Sequence, residues 1–403
     1  MQKLKRILLI AANALCVICV AAGLIVQSSM RGTLRSQQAA VDWRGENEME
    51  FAQVSVFLPV DSALNESQIQ TFRSSLETKL TEAGLEEPEE GSLWTDAYCA
   101  VGTASVSSAR GSSSATAIGI GGDFFLFHPL YLLSGQYIAG DDLMKDLVLI
   151  DKTLAWKLYG GTDLAGMTLT VNGESCIIAG VVELEQDFAT RHALAEDTPM
   201  IFMAYERMSA GEPQTEAGAC AYEIVMPNPL TGYAKSVVDE GLGSGTGVMT
   251  VENSDRFSGS GIRAVLGDFG QRAMRDTAIV LPYWENAARY IETWMALLYV
   301  LTLLFAVLPA ITLIWLAVRL FRLGKKGARR GIRLAGEKLE DRRERRWLQK
   351  QQGKRVAGRR APPVQPAEQP VVPAAAADLP PDVESIVQEI LAENKRNKQG
   401  PES

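Results

Sequence analysis

Histidine is nearly missing from this 403-residue chain, which has only His128 and His192. A zinc site built on imidazoles is therefore not expected. The pattern G-x-x-x-x-G-K-[ST] occurs nowhere, so the chain carries no P-loop ATPase site of its own. Five cysteines are too few for a disulfide scaffold. Cys16 and Cys19 lie in an apolar run, which leaves Cys99, Cys176 and Cys220. Those three allow at most one bridge, and the sequence does not choose the pair. Their plainest reading is as small buried hydrophobes. The serines of Gly111–Ala115 have no histidine signature beside them and read as a hairpin tip. Gly241–Gly247 is glycine-rich but lacks a lysine and leads into a strand, so it reads as a loose turn rather than a phosphate loop. His128, next to Pro129 in an apolar stretch, reads as a packed core residue. No catalytic residue, metal ligand or cofactor site is expected, and the chain reads as a non-enzyme.

Charge is present but sorted by region. The formal net charge of −8 is made up of +3 over residues 1–6, −20 over 7–318, +13 over 319–360 and −4 over 361–403. An acidic block between two basic ones is the pattern of a chain threaded twice through a membrane. Ile7–Val26 holds no charge, and at about 1.5 Å per residue it matches a hydrocarbon core of roughly 30 Å. Gln27–Arg31 offers no small-residue cleavage pattern, which favours an uncleaved anchor over a signal peptide. The second uncharged run, Trp294–Val318, has room for one tilted span. Pro309 sits inside it, and Trp294, Tyr299 and Trp315 lie towards its ends, as interfacial aromatics do. Lys3, Lys5 and Arg6 precede the first run, and Arg319, Arg322, Lys325, Lys326, Arg329 and Arg330 follow the second. Positive flanks of this kind place both termini in the cytoplasm of a bacterial cell. The expected layout is a stub at 1–6, spans at 7–26 and 293–318, and an extracytoplasmic region at 27–292 between them. A basic juxtamembrane segment at 319–360, a Pro/Ala-rich linker at 361–381 and an amphipathic helix at 382–398 then follow.

Within the outer region, Gln53–Val60 alternates as a strand. Over Asn65–Ala83, Ile69, Phe72, Leu76 and Leu80 recur at helical spacing until Gly84. Tyr98–Ser107 and Ser112–Ile120 are β-rich around a small polar turn at Arg110–Gly111. A similar order returns later as strand Tyr222–Met226, helix Pro229–Gly241 and strand Gly247–Glu252. The expected fold class is α+β: two β-α-β halves with a β-rich insertion at about 122–220, carried on two membrane helices, with a partly disordered cytoplasmic tail. In the insertion, Phe124–Tyr137 is a short apolar segment ending in a glycine turn, and Leu147–Ile150 is a buried strand. Asp151–Leu158 is a short helix closed by Gly160–Gly161, and Gly166–Val182 is a hairpin turning at Asn172-Gly173.

The order FF…LLSGQYI…DD…LVLIDKTLAWKLYGG…LAGMTLTVNGESCIIAGVVE resembles the MacB-type periplasmic core domain. That domain belongs to permeases of the MacB/FtsX/LolC class of ABC transporters. The family pattern falls on Gly135, the pair Asp141–Asp142, Leu154–Ala155, Tyr159–Gly160, Gly166, Gly173 and Gly180–Val182. Gln136 stands where the family has arginine, and Asp151 where it has asparagine. These positions are turn glycines and core apolars, so the role implied for Gly135, Ala155, Gly160, Gly166, Gly173 and Gly180 is structural. Asp141 and Asp142 read as turn caps rather than as a cation site. Family permeases continue to a third and fourth span, whereas this chain carries two. The resemblance therefore implies a separate ABC ATPase and/or permease subunit as partner.

Arg319, Arg322, Lys325, Lys326, Arg329 and Arg330 either bind anionic lipid headgroups or serve topology alone. Nucleic acid is not an expected partner for a segment tethered at the membrane. After the N-cap Asp382, the residues Val383, Ile386, Val387, Ile390 and Leu391 fall on one helical face. A lone helix of that length is marginal in water, so it either docks on a cytoplasmic partner or frays. The expected function is a non-enzymatic membrane component of a bacterial ABC-type export or envelope complex. Its outer domain would bind substrate or partner and be coupled to a separate ATPase. The alternative is an envelope assembly or adhesion scaffold that recruits cytoplasmic partners without transport.

Overall fold

The computed structural model describes residues 2–357 apart from 46–47, 86–90, 141, 195–197, 211–217, 244, 246, 270–278 and 280. Asp141, the linker expected at 361–381 and the helix expected at 382–398, with Val383, Ile386, Val387, Ile390 and Leu391, lie outside the described residues. The chain divides into two compact units, Met1–Val318 and Arg319–Ser403.

The fold is mixed α+β. Helix α1 (Gln2–Arg31) leads through a short turn into α2 (Ala39–Arg44) and strand β1 (Phe51–Phe57). Helix α3 (Glu66–Glu82) starts at a capping box, in which the Gln68 amide donates to Asn65 Oδ1 and the Asn65 amide to Gln68 Oε1, both at 2.9 Å. Strand β2 (Thr95–Ser108) completes the first β-α-β half. The second consists of β9 (Ala221–Pro227), α8 (Tyr233–Gly241) and β10 (Met249–Glu252). The two halves interleave in the order β10-β1-β9-β2, antiparallel throughout, which is a split β-α-β arrangement. Helices α3 and α8 share one core with the sheet, where Ile69, Phe72, Leu76 and Val238 meet Val54, Tyr222 and Ile224. Helix α8 begins at Tyr233 rather than at Pro229, because Gly232 in the left-handed conformation interrupts the chain just before it.

Between the halves lie β3 (Gly111–Gly122), α4 (Phe124–Phe127), β4 (Tyr131–Gly135), β5 (Leu147–Asp151) and α5 (Lys152–Tyr159). Next come β6 (Thr168–Val171), β7 (Glu174–Glu183), α6 (Phe188–Ala193), β8 (Met200–Ala204) and α7 (Tyr205–Ala210). Strand pairing runs β2-β3-β8-β5-β7-β6 and returns to β2, so these six strands close into a small barrel. Val106, Ala117, Val148, Ile150, Val171, Ile178, Val181 and Ile201 form its core with Leu154, Ala155 and Leu158 of α5. The inserted part grows out of the long β2–β3 hairpin itself. Ser112–Ser114 pair with Ser107, Val106 and Ser105 inside that ladder, so they are strand residues and the turn falls at Ala109–Arg110. The segment Phe124–Tyr137 resolves into α4 and the edge strand β4.

Helix α9 (Gly259–Gly267) precedes α10, a continuous helix from Tyr283 to Ala357 with Pro309 inside it. Helices α1 and α10 are each long and apolar enough to cross a membrane. They pair antiparallel through small and polar positions. Thr312 Oγ1 donates to Asn13 Oδ1 (2.7 Å), Gln27 Nε2 donates to Thr302 Oγ1 (3.1 Å), and Gly23 sits directly against Thr302. The steps from Asn13 to Gly23 and from Thr302 to Thr312 are equal in length. Carrying that register outward puts Arg31 level with Trp294 and Ile7 level with Val318. The two uncharged runs thus begin and end together.

The family glycines separate into two kinds. Gly135 has φ +78°, and an added Cβ would lie 2.0 Å from the Ala179 carbonyl oxygen across the β4–β7 pairing. Gly166 has φ +83° but open space around it. Gly166→Ala should cost about 1–2 kcal/mol, the price of a left-handed residue alone. Gly135→Ala should cost about 3 kcal/mol or more, since backbone must also move. Thermal unfolding of the full chain in detergent will rank the two.

Candidate functional site

Strand β1 shows how the site arises. Its sequence FAQVSVF alternates as though one face met water, yet all seven residues are buried. The polar side chains Gln53 and Ser55 lie beneath the sheet on the side facing α2 and the start of α10, where each must find a partner. Gln53 Oε1 accepts from the Ala39 amide (3.2 Å), and its Nε2 donates to the Ser36 carbonyl (2.8 Å). Ser55 Oγ donates to Glu223 Oε1 on β9 and accepts from Asn253 Nδ2, each at 2.6 Å.

From Ser55 a buried polar relay extends both ways. On one side, Glu223 Oε2 meets His128 Nε2 at the end of α4. The His128 ring packs on Trp284 with centroids 4.1 Å apart. His128 Nδ1 and Trp284 Nε1 are buried and find no protein partner among the described residues. On the other side, Asn253 follows β10 and leads to Arg256, whose Nη1 reaches Asn253 Oδ1 at 3.5 Å. Arg256 is 5% exposed. It grips Glu285 with two hydrogen bonds (2.6 and 2.8 Å) and Glu292 with one (2.7 Å), and approaches Gln37 Oε1 at 3.4 Å. Arg289 adds a further bond to Glu285 at 2.8 Å. Glu285 and Glu292 stand two turns apart on α10, and Arg256 spans the gap. Burial alone would push its guanidinium down, but the two carboxylates outweigh burial and hold it above its ordinary range. Two arginines against two glutamates leave the cluster neutral, as a buried site requires.

Both ends of the relay therefore land on the first turns of α10. One arrives through His128 on Trp284 and the other through Arg256 on Glu285. A third tie comes from the loop after β7, where Tyr283 Oη donates to Glu185 at 3.1 Å. Gln37 and Ser36 bring in the segment that leaves α1. A groove of about 290 Å³ opens beside this region between Arg35, Tyr131, Glu183, Glu185 and Asp187. Among the described residues, no group of three or more His, Cys, Asp or Glu is placed to hold a metal ion.

The residues singled out in the sequence lie elsewhere. Gly135 and Gly180 face each other across β4 and β7, Gly160 caps α5 in the left-handed conformation, and Asn172-Gly173 turns the β6–β7 hairpin with φ of 50° and 88°. Gly166 precedes β6, and Ala155 is buried in the barrel. Asp142 Oδ2 accepts from the Ala139 amide at 2.8 Å within a turn. Asp151 caps α5 through the Thr153 and Leu154 amides and also accepts from the Met200 amide at 2.8 Å. Arg319, Arg322, Lys325, Lys326, Arg329 and Arg330 are exposed on α10. All five cysteines are free thiols; the Cys220 amide and Sγ both turn to the Cys99 carbonyl, at 2.9 and 3.5 Å. Sequence reasoning missed Arg256, Glu285, Glu292 and Glu223. The available signal was Glu285 and Glu292 at a two-turn spacing just ahead of an apolar run.

The chain is thus an α+β domain with an inserted barrel, tied through a buried polar relay to the start of a long apolar helix and to the segment leaving another. Residues 8–226 match the MacB-like periplasmic core domain, and the chain belongs to that family, whose domain marks ABC-transporter permease-type components. No curated protein matches the chain. Among solved structures, the extracellular domain of the ABC-type transporter YknZ from Gram-positive bacteria is 14% identical, with 49% of this chain and 99% of that one covered at a TM-score of 0.34. The periplasmic region of MacB from Actinobacillus actinomycetemcomitans is 12% identical, with 54% and 92% covered at a TM-score of 0.37. A permease-protein domain from Porphyromonas gingivalis is 16% identical, with 47% and 79% covered at a TM-score of 0.28.

Arg256→Leu strands two buried carboxylates and should destabilise the chain by about 3–5 kcal/mol. The triple variant Arg256→Leu, Glu285→Leu, Glu292→Leu should regain most of that loss. Denaturant unfolding of both variants in detergent measures the difference. A pH test is also available at Glu185. Burial pushes its carboxyl above the ordinary range, although a backbone amide, His128 and Tyr283 pull the other way. The folded chain then binds the proton more tightly than the unfolded one, so ionised Glu185 costs stability at neutral pH. The cost fades as pH falls from the folded value towards the unfolded one. Glu185→Gln should therefore raise Tm at about pH 7.5 and leave it unchanged near pH 4.

Proposed function

We propose that the chain is a non-enzymatic membrane component of a bacterial ABC-type export or envelope complex. In this reading residues 7–26 and 293–318 cross the cytoplasmic membrane, both termini are cytoplasmic, and residues 27–292 lie outside. The outer domain engages a substrate or a partner protein and works with a separate ATPase, a permease subunit, or both. The observation that carries this reading is the Arg256 cluster. Its buried ion pairs hold Arg256, which follows β10, to Glu285 and Glu292 of α10, and hydrogen bonds from the same guanidinium reach Asn253 and, in the segment leaving α1, Gln37. Pulling one of these charges from its partners would cost about 3–5 kcal/mol, so a shift of α10 would carry the end of β10 with it. That is the property required of a part that passes motion across a membrane.

On the inner side, Arg319, Arg322, Lys325, Lys326, Arg329 and Arg330 bind anionic lipid headgroups, each worth roughly 1 kcal/mol near a charged surface. The helix bearing Val383, Ile386, Val387, Ile390 and Leu391 docks on a cytoplasmic partner. Purifying the tagged full chain in mild detergent tests the assignment. Stoichiometric recovery of a P-loop ATPase is the expected result. Recovery of structural or division proteins without any ATPase would favour the scaffold reading instead.

A further inference from the structure

We propose that the outer domain rests directly on the outer leaflet, with α6 as a lipid-binding foot. This rests on the reading that α1 and α10 cross the membrane. Trp294 opens the uncharged run of α10 and stands level with Arg31, so both mark the outer edge of the hydrocarbon. Tyr290 lies one helical turn above Trp294, about 5–6 Å further out. The headgroup layer beyond a core of roughly 30 Å is about 5–8 Å deep, so Tyr290 falls within it.

Helix α6 is fixed at that level by its aromatic contacts. The His192 ring stacks on Tyr290 with centroids 4.0 Å apart and planes at 23°, and the Phe188 ring lies 6.0 Å from the same tyrosine. Tyr290 in turn meets Trp294 at 6.3 Å, close to edge-on. Asp187 caps the helix by accepting from the Ala189 and Thr190 amides, and both of those residues are buried. Ala189 packs with Met30, Ile262 and Ile291, whereas Phe188, Arg191 and His192 stay exposed. A large apolar ring, a guanidinium and an imidazole thus face outward at the height where water gives way to phosphate. Phospholipid headgroups are the occupant this chemistry fits: Phe188 enters the acyl boundary and Arg191 meets a phosphate.

The test uses the full chain in nanodiscs of phosphatidylethanolamine and phosphatidylglycerol, with a photocrosslinking side chain at one position at a time. The variants are Phe188→p-benzoylphenylalanine, Leu304→p-benzoylphenylalanine in the middle of the uncharged run of α10, and Leu230→p-benzoylphenylalanine on the outer domain, 74% exposed. Phospholipid adducts at 188 and 304 but not at 230 are expected. Adding Arg191→Glu should cut the yield at 188 several-fold and leave 304 unchanged. Adducts at 304 without any at 188, adducts at 188 to protein alone, or equal adducts at 188 and 230 would each overturn the foot while leaving the spans intact. Absence of lipid adducts at 304 would overturn the span assignment and the foot together.

Discussion

Arg256 carries a permanent charge where water does not reach, and the base of the outer domain is arranged around that constraint. A buried guanidinium must be neutralised and fully hydrogen-bonded, or the fold loses several kcal/mol. Satisfying it calls for two carboxylates on one face of α10, a side chain from the segment leaving α1, and Asn253 from the end of β10. These groups are far apart in sequence and become neighbours only when both helices and the sheet are seated together. Replacing them with hydrocarbon would fill the same space but would not dictate one seating, which is a reason for such a cluster to be polar.

The two halves of the outer domain answer different demands. The split β-α-β sheet is covered on both faces, so even its alternating strand β1 is buried, and its polar residues become links in the relay. The inserted barrel is held by turn glycines and aliphatic packing, with Asp151 as a buried charged group in its wall. Burial pushes that carboxyl above its ordinary range, although three backbone amides pull it back. Buried ionic contacts thus gather where the split sheet meets α3 and the start of α10, and plain packing prevails further along β2 and β3.

What could be read from the sequence was local. Asn65 and Gln68 announce the start of α3, Asn172-Gly173 announces a hairpin, and Gly135 marks a left-handed turn, because each depends on the chain within a few residues. The two apolar runs were legible for the same reason. Barrel closure was not, since it depends on Val106 and Ser107 pairing with Val171 and Thr170 across more than sixty positions. The relay was not legible either. Arg256 and Glu223 look like ordinary surface charges in sequence, and the period of β1 suggests an exposed face. Only the tertiary cover contributed by α2 and Trp284 makes that face interior. The start of α8 was misplaced because Pro229 is a common first helical residue, whereas here Gly232 sets the boundary.

Closure of the barrel by β6 bears on how the outer domain behaves in company. A strand edge left open is a template on which other chains can extend a sheet, leading to fibres or exchanged strands. By pairing with β2 and β7 at once, the four-residue β6 removes two such edges. Among the described residues, the edges that remain are β4 and β10, of five and four residues. With so little strand edge left open, backbone pairing between copies has few places to start, and contact with neighbouring chains is left largely to side chains.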